Sequence, residues 1–372
     1  MSFEYEKLTE TIAATAATHA AEVDRAAFPT QTIRALGDAG LLGLVSSPDV
    51  GGQGLGLPAA AFVVERLARE CGSTAMVACM HYCATAVIEQ HGPIEIRKAI
   101  AAGKHLSTLA FSELGSRSHF WAPLGTATGE GPQVRLDARK SWVTSARHAD
   151  SYVWSSKPIV GTELSTLWLV PRTTSGLHIT DSGFDGLGLR GNDSSPVTAE
   201  GARLPVTAML GADGAGFGTM MGSVLPWFNV LSTAVSAGFM ETSVQKTAAH
   251  VSAAKLQHAG LAIADLPTVR AYIARMRIQT DMVKALLADT LAAIASSRAD
   301  ATLRVLESKA ASGEAATMVT DLAMRVCGGA AFRKEVGVER VFRDARAALV
   351  MGPTTDVLFD FIGKAVCGLP LF

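Results

Sequence analysis

The segment Gln133-Val134-Arg135-Leu136-Asp137-Ala138 decides the fold class. Its apolar and polar residues alternate at a period of two, as on a strand with one buried face. Close by, Tyr152-Val153-Trp154 and Thr166-Leu167-Trp168-Leu169-Val170 are unbroken apolar or β-branched runs, which fits more deeply buried strands. Gly, Pro, Asp and Ser clusters separate these runs, and no helix-length pattern lies between them. A mainly antiparallel sheet or barrel over 106–212 therefore fits better than a parallel sheet with crossover helices.

On the N-terminal side, residues 1–105 read as helical. Ala-rich stretches at 11–27 and 59–70 carry Leu, Val and Ile at helical spacing. The run Ser47-Pro48-Asp49-Val50-Gly51-Gly52-Gln53-Gly54-Leu55-Gly56 interrupts them; it lacks the Lys-Ser/Thr of a phosphate loop and reads as a turn. On the C-terminal side, beyond Gly211-Ala212-Asp213-Gly214-Ala215-Gly216-Phe217, the helical period returns. Val269, Ile273, Met276, Val283, Leu287, Leu291 and Ile294 form one stripe, and similar helices fit 224–254, 302–327 and 354–365. Four such helices must bury their stripes on one another, which makes a bundle. The expected fold class is α+β: an N-terminal all-α domain (1–105), a middle antiparallel β-domain (106–212) and a C-terminal four-helix bundle (213–372). No internal repeat is visible.

Composition narrows the function classes. A net charge of −1 over 372 residues gives no bulk field for nucleic acid or an anionic membrane. Mean hydropathy is high at +0.26. Membrane insertion needs an apolar run of about 18 or more residues, and Gly, Pro or charge breaks every apolar stretch. Extensive helix-on-helix burial, including subunit interfaces, is the better reading. The N-terminus MSFEYEKLTE has no apolar core of a secretory signal. Cys71, Cys79, Cys83, Cys327 and Cys367 are odd in number and hold no Cys-x-x-Cys pair. They read as small buried core residues rather than disulfides or zinc ligands, in keeping with a reducing cytoplasm.

Three short segments, in this order, resemble the acyl-CoA dehydrogenase family. The first is Leu109-Ala110-Phe111-Ser112-Glu113-Leu114-Gly115-Ser116-Arg117-Ser118. The second is Lys140-Ser141-Trp142-Val143-Thr144-Ser145. The third is Arg325-Val326-Cys327-Gly328-Gly329-Ala330-Ala331-Phe332, followed by Arg340-Val341-Phe342-Arg343-Asp344-Ala345. Gly188-Leu189-Arg190-Gly191, and Leu204-Pro205 leading to Leu210-Gly211, support the match. The resemblance spans about 20 to 365.

It implies a flavoprotein, with FAD as cofactor and FMN as an alternative. A flavin needs hydrogen-bond donors along its pyrimidine edge and at N5, and an aromatic or apolar wall beside its ring. By resemblance, Phe111 and Ser112 line that edge, Trp142 packs near the ring and Thr144 donates near N5. Gly328 and Gly329 would let a neighbouring subunit's cofactor approach closely, unless they simply end a helix. Thr354 and Asp356 fall at cofactor-contacting positions, and Thr354 also suits a helix N-cap. Ser118 matches a contact to the pantetheine or phosphate of CoA, with a plain loop serine as the alternative.

The departures bear on the reaction. The family's base is a Glu just before Gly-Thr near the start of the last helix, and Gly352 stands there in this chain. Some relatives carry the Glu on an earlier helix; the matching stretch Leu225-Pro226-Trp227-Phe228-Asn229 holds no acid either. A positioned base is worth about 10²–10⁴-fold in rate. Asp356, one helical turn beyond Gly352, is a substitute base if the two share a face. His119 and Asp193 are further titratable residues, better read as surface or satisfied polar groups. The Arg and Gln that hold the adenine half of FAD are missing from the region of Lys255, His258 and Gly260, which leaves Lys255 or His258 to supply positive charge.

Three functions are in contention. The first is oxidation of an acyl thioester by hydride transfer to flavin N5, with a displaced base. The second is a flavin monooxygenase using reduced flavin and O2. The third is a non-catalytic binding subunit. The implied partners are an acyl-CoA or acyl-carrier-protein substrate and an electron-transfer protein or flavin reductase, in a homotetramer or homodimer without metal, nucleic acid or a membrane span.

Overall fold

The structure is a computed structural model that describes residues 3–116 and 119–371. Five helices come first: α1 (Glu4–Val23), α2 (Thr30–Asp38), α3 (Gly56–Ala68), α4 (Gly72–His91) and α5 (Ile94–Ala101). The 47–56 run is a loop, as expected, with a short 3₁₀ turn at Pro48–Val50 and left-handed glycines at 51 and 54. Helix α4 is buried almost all round, from Gly72 to Ile88. A helix packed on every side needs no amphipathic stripe, which is why Ala, Cys and Met run together there.

Seven strands follow: β1 (Ser107–Ala110), β2 (Thr126–Glu130), β3 (Gln133–Val143), β4 (Ser151–Ser156), β5 (Thr166–Pro171), β6 (Leu177–Ile179) and β7 (Ser195–Pro205). They make two sheets, ordered β1-β4-β5 and β2-β3-β7-β6. Strands β3 and β7 bury alternate residues, whereas β4 is buried along its whole length. Trp154, Trp168, Tyr152, Val134 and Leu136 form a core in this region. One pair departs from the antiparallel expectation, since β1 and β4 run parallel. Parallel neighbours need a long crossover, and the excursion of the chain through β2 and β3 in the other sheet provides it.

The chain then forms α6 (Gly216–Thr219), a π-helical turn at Met220–Val224, and α7 (Leu225–Ala253). A small hairpin, β8 (Lys255–Leu256) with β9 (Leu261–Ala262), precedes α8 (Pro267–Ala295) and α9 (Ala301–Cys327). The short helices α10 (Val338–Ala345) and α11 (Ala347–Val350) lead to α12 (Thr355–Val366). Helices α7, α8, α9 and α12 form the bundle, with α7 also packed on α3 and α4. Most of the α8 stripe is as read from the sequence: Met276, Val283 and Leu287 are buried and Leu291 and Ile294 pack half-buried on the same core, whereas Val269 and Ile273 are only half-buried near the start of the helix.

The helix spanning Gly216–Ala253 is long and apolar enough to cross a membrane, but 89% of its most apolar window lies buried in the core. Its hydropathy is spent on packing. Four cysteines are buried as expected; Cys367 is exposed, against expectation, because it sits past the end of α12 where no element covers it.

Candidate active site

The two family-like segments at 109–116 and 140–145 are stitched together by a buried ion pair. Lys140 Nζ donates to Glu113 Oε1 at 2.6 Å, to the Ser155 carbonyl at 2.7 Å and to Ser155 Oγ at 2.9 Å. It also lies 5.1 Å from the centre of the Trp154 ring. The other Glu113 oxygen accepts the backbone N–H of Leu124 and of Gly125. Alongside, Ser141 N–H donates to the Ser112 carbonyl at 2.9 Å. Burial pushes the Lys140 ammonium down to about 8, and the Glu113 charge opposes that shift. Both residues stand in the quoted segments, but sequence reasoning gave them no role.

Strand β3 ends in a bulge. Its register with β7 shifts between Lys140 and Val143, and both Trp142 (φ 57°) and Ser145 (φ 59°) are left-handed. Such conformations cost about 1–3 kcal/mol each for ordinary residues and recur at functional sites. The bulge re-aims the side chains. Trp142 stands 67% exposed, edge-on to Phe184, while Thr144 turns inward with Oγ1 3.2 Å from Ser194 Oγ.

These residues line a cavity of about 1000 Å³. One wall carries Phe111, Ser112, Trp142 and Thr144; another carries Gly352, Thr354 and Asp356 from the segment leading into α12. Met76 and Met80 of α4, Val224 of the π-turn, and Leu225 and Phe228 of α7 add an apolar face. A helix that is apolar all round gives no sequence signal for which residues face a cavity, so the contribution of α4 was not legible. Thr354 is the N-cap residue of α12. Gly352 precedes the helix, so Gly352 and Asp356 do not share a helical face as expected, although both reach the cavity.

Gly328 and Gly329 are not part of the cavity wall. Gly328 ends α9 with φ 57° and ψ −140°, a conformation close to glycine-only, and a side chain at either position would meet open space. Ser118 lies outside the described residues. The β8–β9 hairpin, with Lys255 and His258, also lies off the cavity wall.

A loop at 184–189 lines the cavity, and Gly188 explains its motif. A Cβ at Gly188 would come within 2.4 Å of the Arg343 carbonyl oxygen. The Leu189 N–H donates to Asp344 Oδ1 at 2.6 Å, and burial pushes that carboxyl up to about 6. Arg343 is bound to Asp24 and Glu339 and reaches the Leu187 carbonyl. Asp193 is a satisfied structural acid, as expected: it accepts from Arg147 and from Ser195.

The cavity therefore holds few free ionisable groups. Glu113 is locked to Lys140 and Arg343 to its two acids. His119 sits edge-on to Trp121, and the Arg346 guanidinium lies 4.0 Å from the centre of the Phe342 ring. Asp356 is exposed and has no cation within ion-pair distance among the described residues. The hydroxyls of Ser112, Thr144 and Ser194 are among the uncharged polar groups that share the lining with aromatic and apolar side chains. The volume is at the top of the usual range of about 300–1000 Å³ for ligand sites.

Two family descriptions match the chain: "Acyl-CoA dehydrogenase, N-terminal domain" over residues 5–103 and "Acyl-CoA dehydrogenase, C-terminal domain" over residues 214–367. The chain belongs to the acyl-CoA dehydrogenase family. This acyl-CoA dehydrogenase family member is 25% identical over 350 residues to a probable acyl-CoA dehydrogenase of Bacillus subtilis, covering 92% of this chain and 91% of that protein. Its fold matches butyryl-CoA dehydrogenase from Megasphaera elsdenii with a TM-score of 0.90 at 19% identity, covering 99% of this chain and all of that one. It matches the FAD complex of PigA with a TM-score of 0.88 at 19% identity, covering 99% and 98% of the two chains.

Proposed function

We propose that this family member is a flavin-dependent oxidoreductase that binds FAD and oxidises an acyl thioester. The observation that carries the reading is convergence: Phe111, Ser112, Trp142, Thr144, Thr354 and Asp356, distant in sequence, line one cavity. FAD rather than FMN is supported by the FAD complex of the PigA fold relative. The chemistry a bound flavin supplies is hydride acceptance. Everything else falls to the chain. Ser112 and Thr144 donate to the polar edge of the ring, which stabilises negative charge there. Trp142, already exposed, covers the ring. Met76, Met80 and Phe228 take the acyl group and exclude water.

Asp356 is assigned the α-proton, because it is the one carboxylate on the described cavity wall without an ion-pair partner. Ser118 is assigned to the carrier arm, whether CoA or a carrier protein. Gly328 and Gly329, exposed at the end of α9, are assigned to a neighbouring subunit's cofactor in a dimer or tetramer. An electron-transfer protein would then reoxidise the enzyme.

The test is an anaerobic absorbance titration of the flavin-loaded protein with a panel of acyl thioesters. Bleaching of the oxidised flavin band supports the proposal, and no bleaching across the panel contradicts it. One observation favours a second reading, a flavin monooxygenase. Gly352 offers no carboxylate at the family's base position and Glu113 is consumed by Lys140, which leaves Asp356 as the one described candidate; a reaction that needs no α-proton base would free Asp356 for the cofactor. Oxygen-dependent hydroxylation by the chemically reduced holoprotein would select this reading, and a desaturated product would exclude it. A binding subunit without catalysis would take up no flavin.

A further inference from the structure

Lys309 lies inside the bundle on α9, and its side chain is only 1% exposed. Its Nζ donates to the Met351 carbonyl at 3.0 Å and to the Pro353 carbonyl at 2.7 Å. The nearest aromatic face is Phe228, with its centre 5.9 Å away. No carboxylate lies within ion-pair distance of it among the described residues. Burial pushes the ammonium down to about 7.

An unpaired buried ammonium is a poor way to stabilise a helix interface. Its desolvation is costly, and an apolar side chain of similar length would pack there without that penalty. What Lys309 does provide is local. The two carbonyls it binds flank Gly352, on the segment that forms one wall of the cavity. Lys309 itself is not on that wall, and both carbonyls are turned to its Nζ. Outward-facing carbonyls would oppose negative charge developing on a substrate there. Pro353 has no N–H to donate, and the nearest flanking backbone bonds are Met351 N–H to Ala347 and Leu358 N–H to Thr354.

We infer that Lys309 is a positioning residue of the cavity: by gripping both carbonyls around Gly352, it fixes the wall against which the substrate is held. The inference rests on the thioester reading above for the identity of that substrate, but the grip itself is independent of it.

The test uses the full-length holoprotein and two substitutions, Lys309→Met, which removes every donor, and Lys309→Gln, which keeps a shorter one. Hydrogen exchange at Met351 and Leu358 reads the grip without any ligand. In Lys309→Met those two amides are expected to exchange at least about tenfold faster, with the α7 amides unchanged. With butyryl-CoA as the probe, kcat is expected to fall at least about tenfold, since small misplacements at a reacting centre are costly. FAD affinity should change by less than about threefold, a split that a general loss of structure would not give. Lys309→Gln should recover part of both effects, and it carries the test if Lys309→Met does not fold.

Unchanged exchange at Met351 and Leu358 overturns the proposal. So does acceleration across the whole bundle together with lost FAD affinity, which would make Lys309 an ordinary strut. If the wild type is not bleached by any thioester, the thioester reading fails, and the exchange data still decide the grip.

Discussion

Replacing Lys140 with Met would expose how the flavin wall is built. The substitution keeps the apolar stem and deletes the ammonium, which holds Glu113 at 2.6 Å and Ser155 through two bonds. Glu113 is then left as a buried carboxylate with only the Leu124 and Gly125 N–H groups. Breaking a buried pair from one side costs about 3–5 kcal/mol, because the surviving charge is uncompensated. At about 2–4 °C per kcal/mol for larger chains, that lowers the melting temperature by at least about 6 °C. The double substitution Lys140→Met with Glu113→Gln removes both charges and should recover a substantial part of that loss. Thermal melts of the wild type, both single variants and the double variant complete the cycle. FAD affinity should follow stability here, because the pair ties Ser112 to Trp142 through adjacent residues. A double variant as unstable as Lys140→Met, or a Lys140→Met that melts like wild type, would refute the reasoning.

Three further outcomes are expected. Trp142→Ala should leave stability within about 0.5 kcal/mol of wild type, as the ring is exposed, while weakening FAD binding about tenfold in an absorbance titration through the lost aromatic contact. Asp356→Asn should lower kcat by about 10²–10⁴ if the carboxylate takes the α-proton; a comparable loss of FAD affinity would reassign it to cofactor binding. Asp344 has its carboxyl raised from 3.8 to about 6 by burial, so the folded chain holds that proton more tightly than the unfolded one. Its stabilising contribution is complete below about 3.8 and is lost as pH rises through about 6, a swing of about 3 kcal/mol. Melts of wild type against Asp344→Asn at pH 5 and pH 7 should show the wild type losing ground at the higher pH, and parallel curves would contradict this.

The order of helices, sheet and bundle was legible because it depends on periodicity, which the chain displays openly in β3 and α8. The parallel pairing of β1 with β4 was not, since pairing is a long-range choice that no local pattern encodes. The cavity was legible in part. Phe111, Ser112, Trp142 and Thr144 came from motif resemblance, and they do meet. Their positions depend on a bulge with two left-handed residues, and neither Trp142 nor Ser145 is a type that signals positive φ. Helix α4 hid Met76 and Met80 among residues buried on every side. Lys309 was hidden for the opposite reason: an isolated lysine in a helix reads as a solvated side chain, and only the fold places it under the Met351 and Pro353 carbonyls. Gly352 was read correctly as lacking a carboxylate, but the helical face it was expected to share with Asp356 does not exist, because α12 begins only at Thr355.

The most direct measurement is a titration of flavin-free protein with FAD and with FMN, followed by tryptophan fluorescence and flavin absorbance. The expected result is saturable uptake of one FAD per chain, weaker uptake of FMN, and quenching that is reduced in Trp142→Ala. Failure of either flavin to bind, or binding that is indifferent to Trp142, Ser112 and Thr144, would contradict the claim that this cavity is a flavin site.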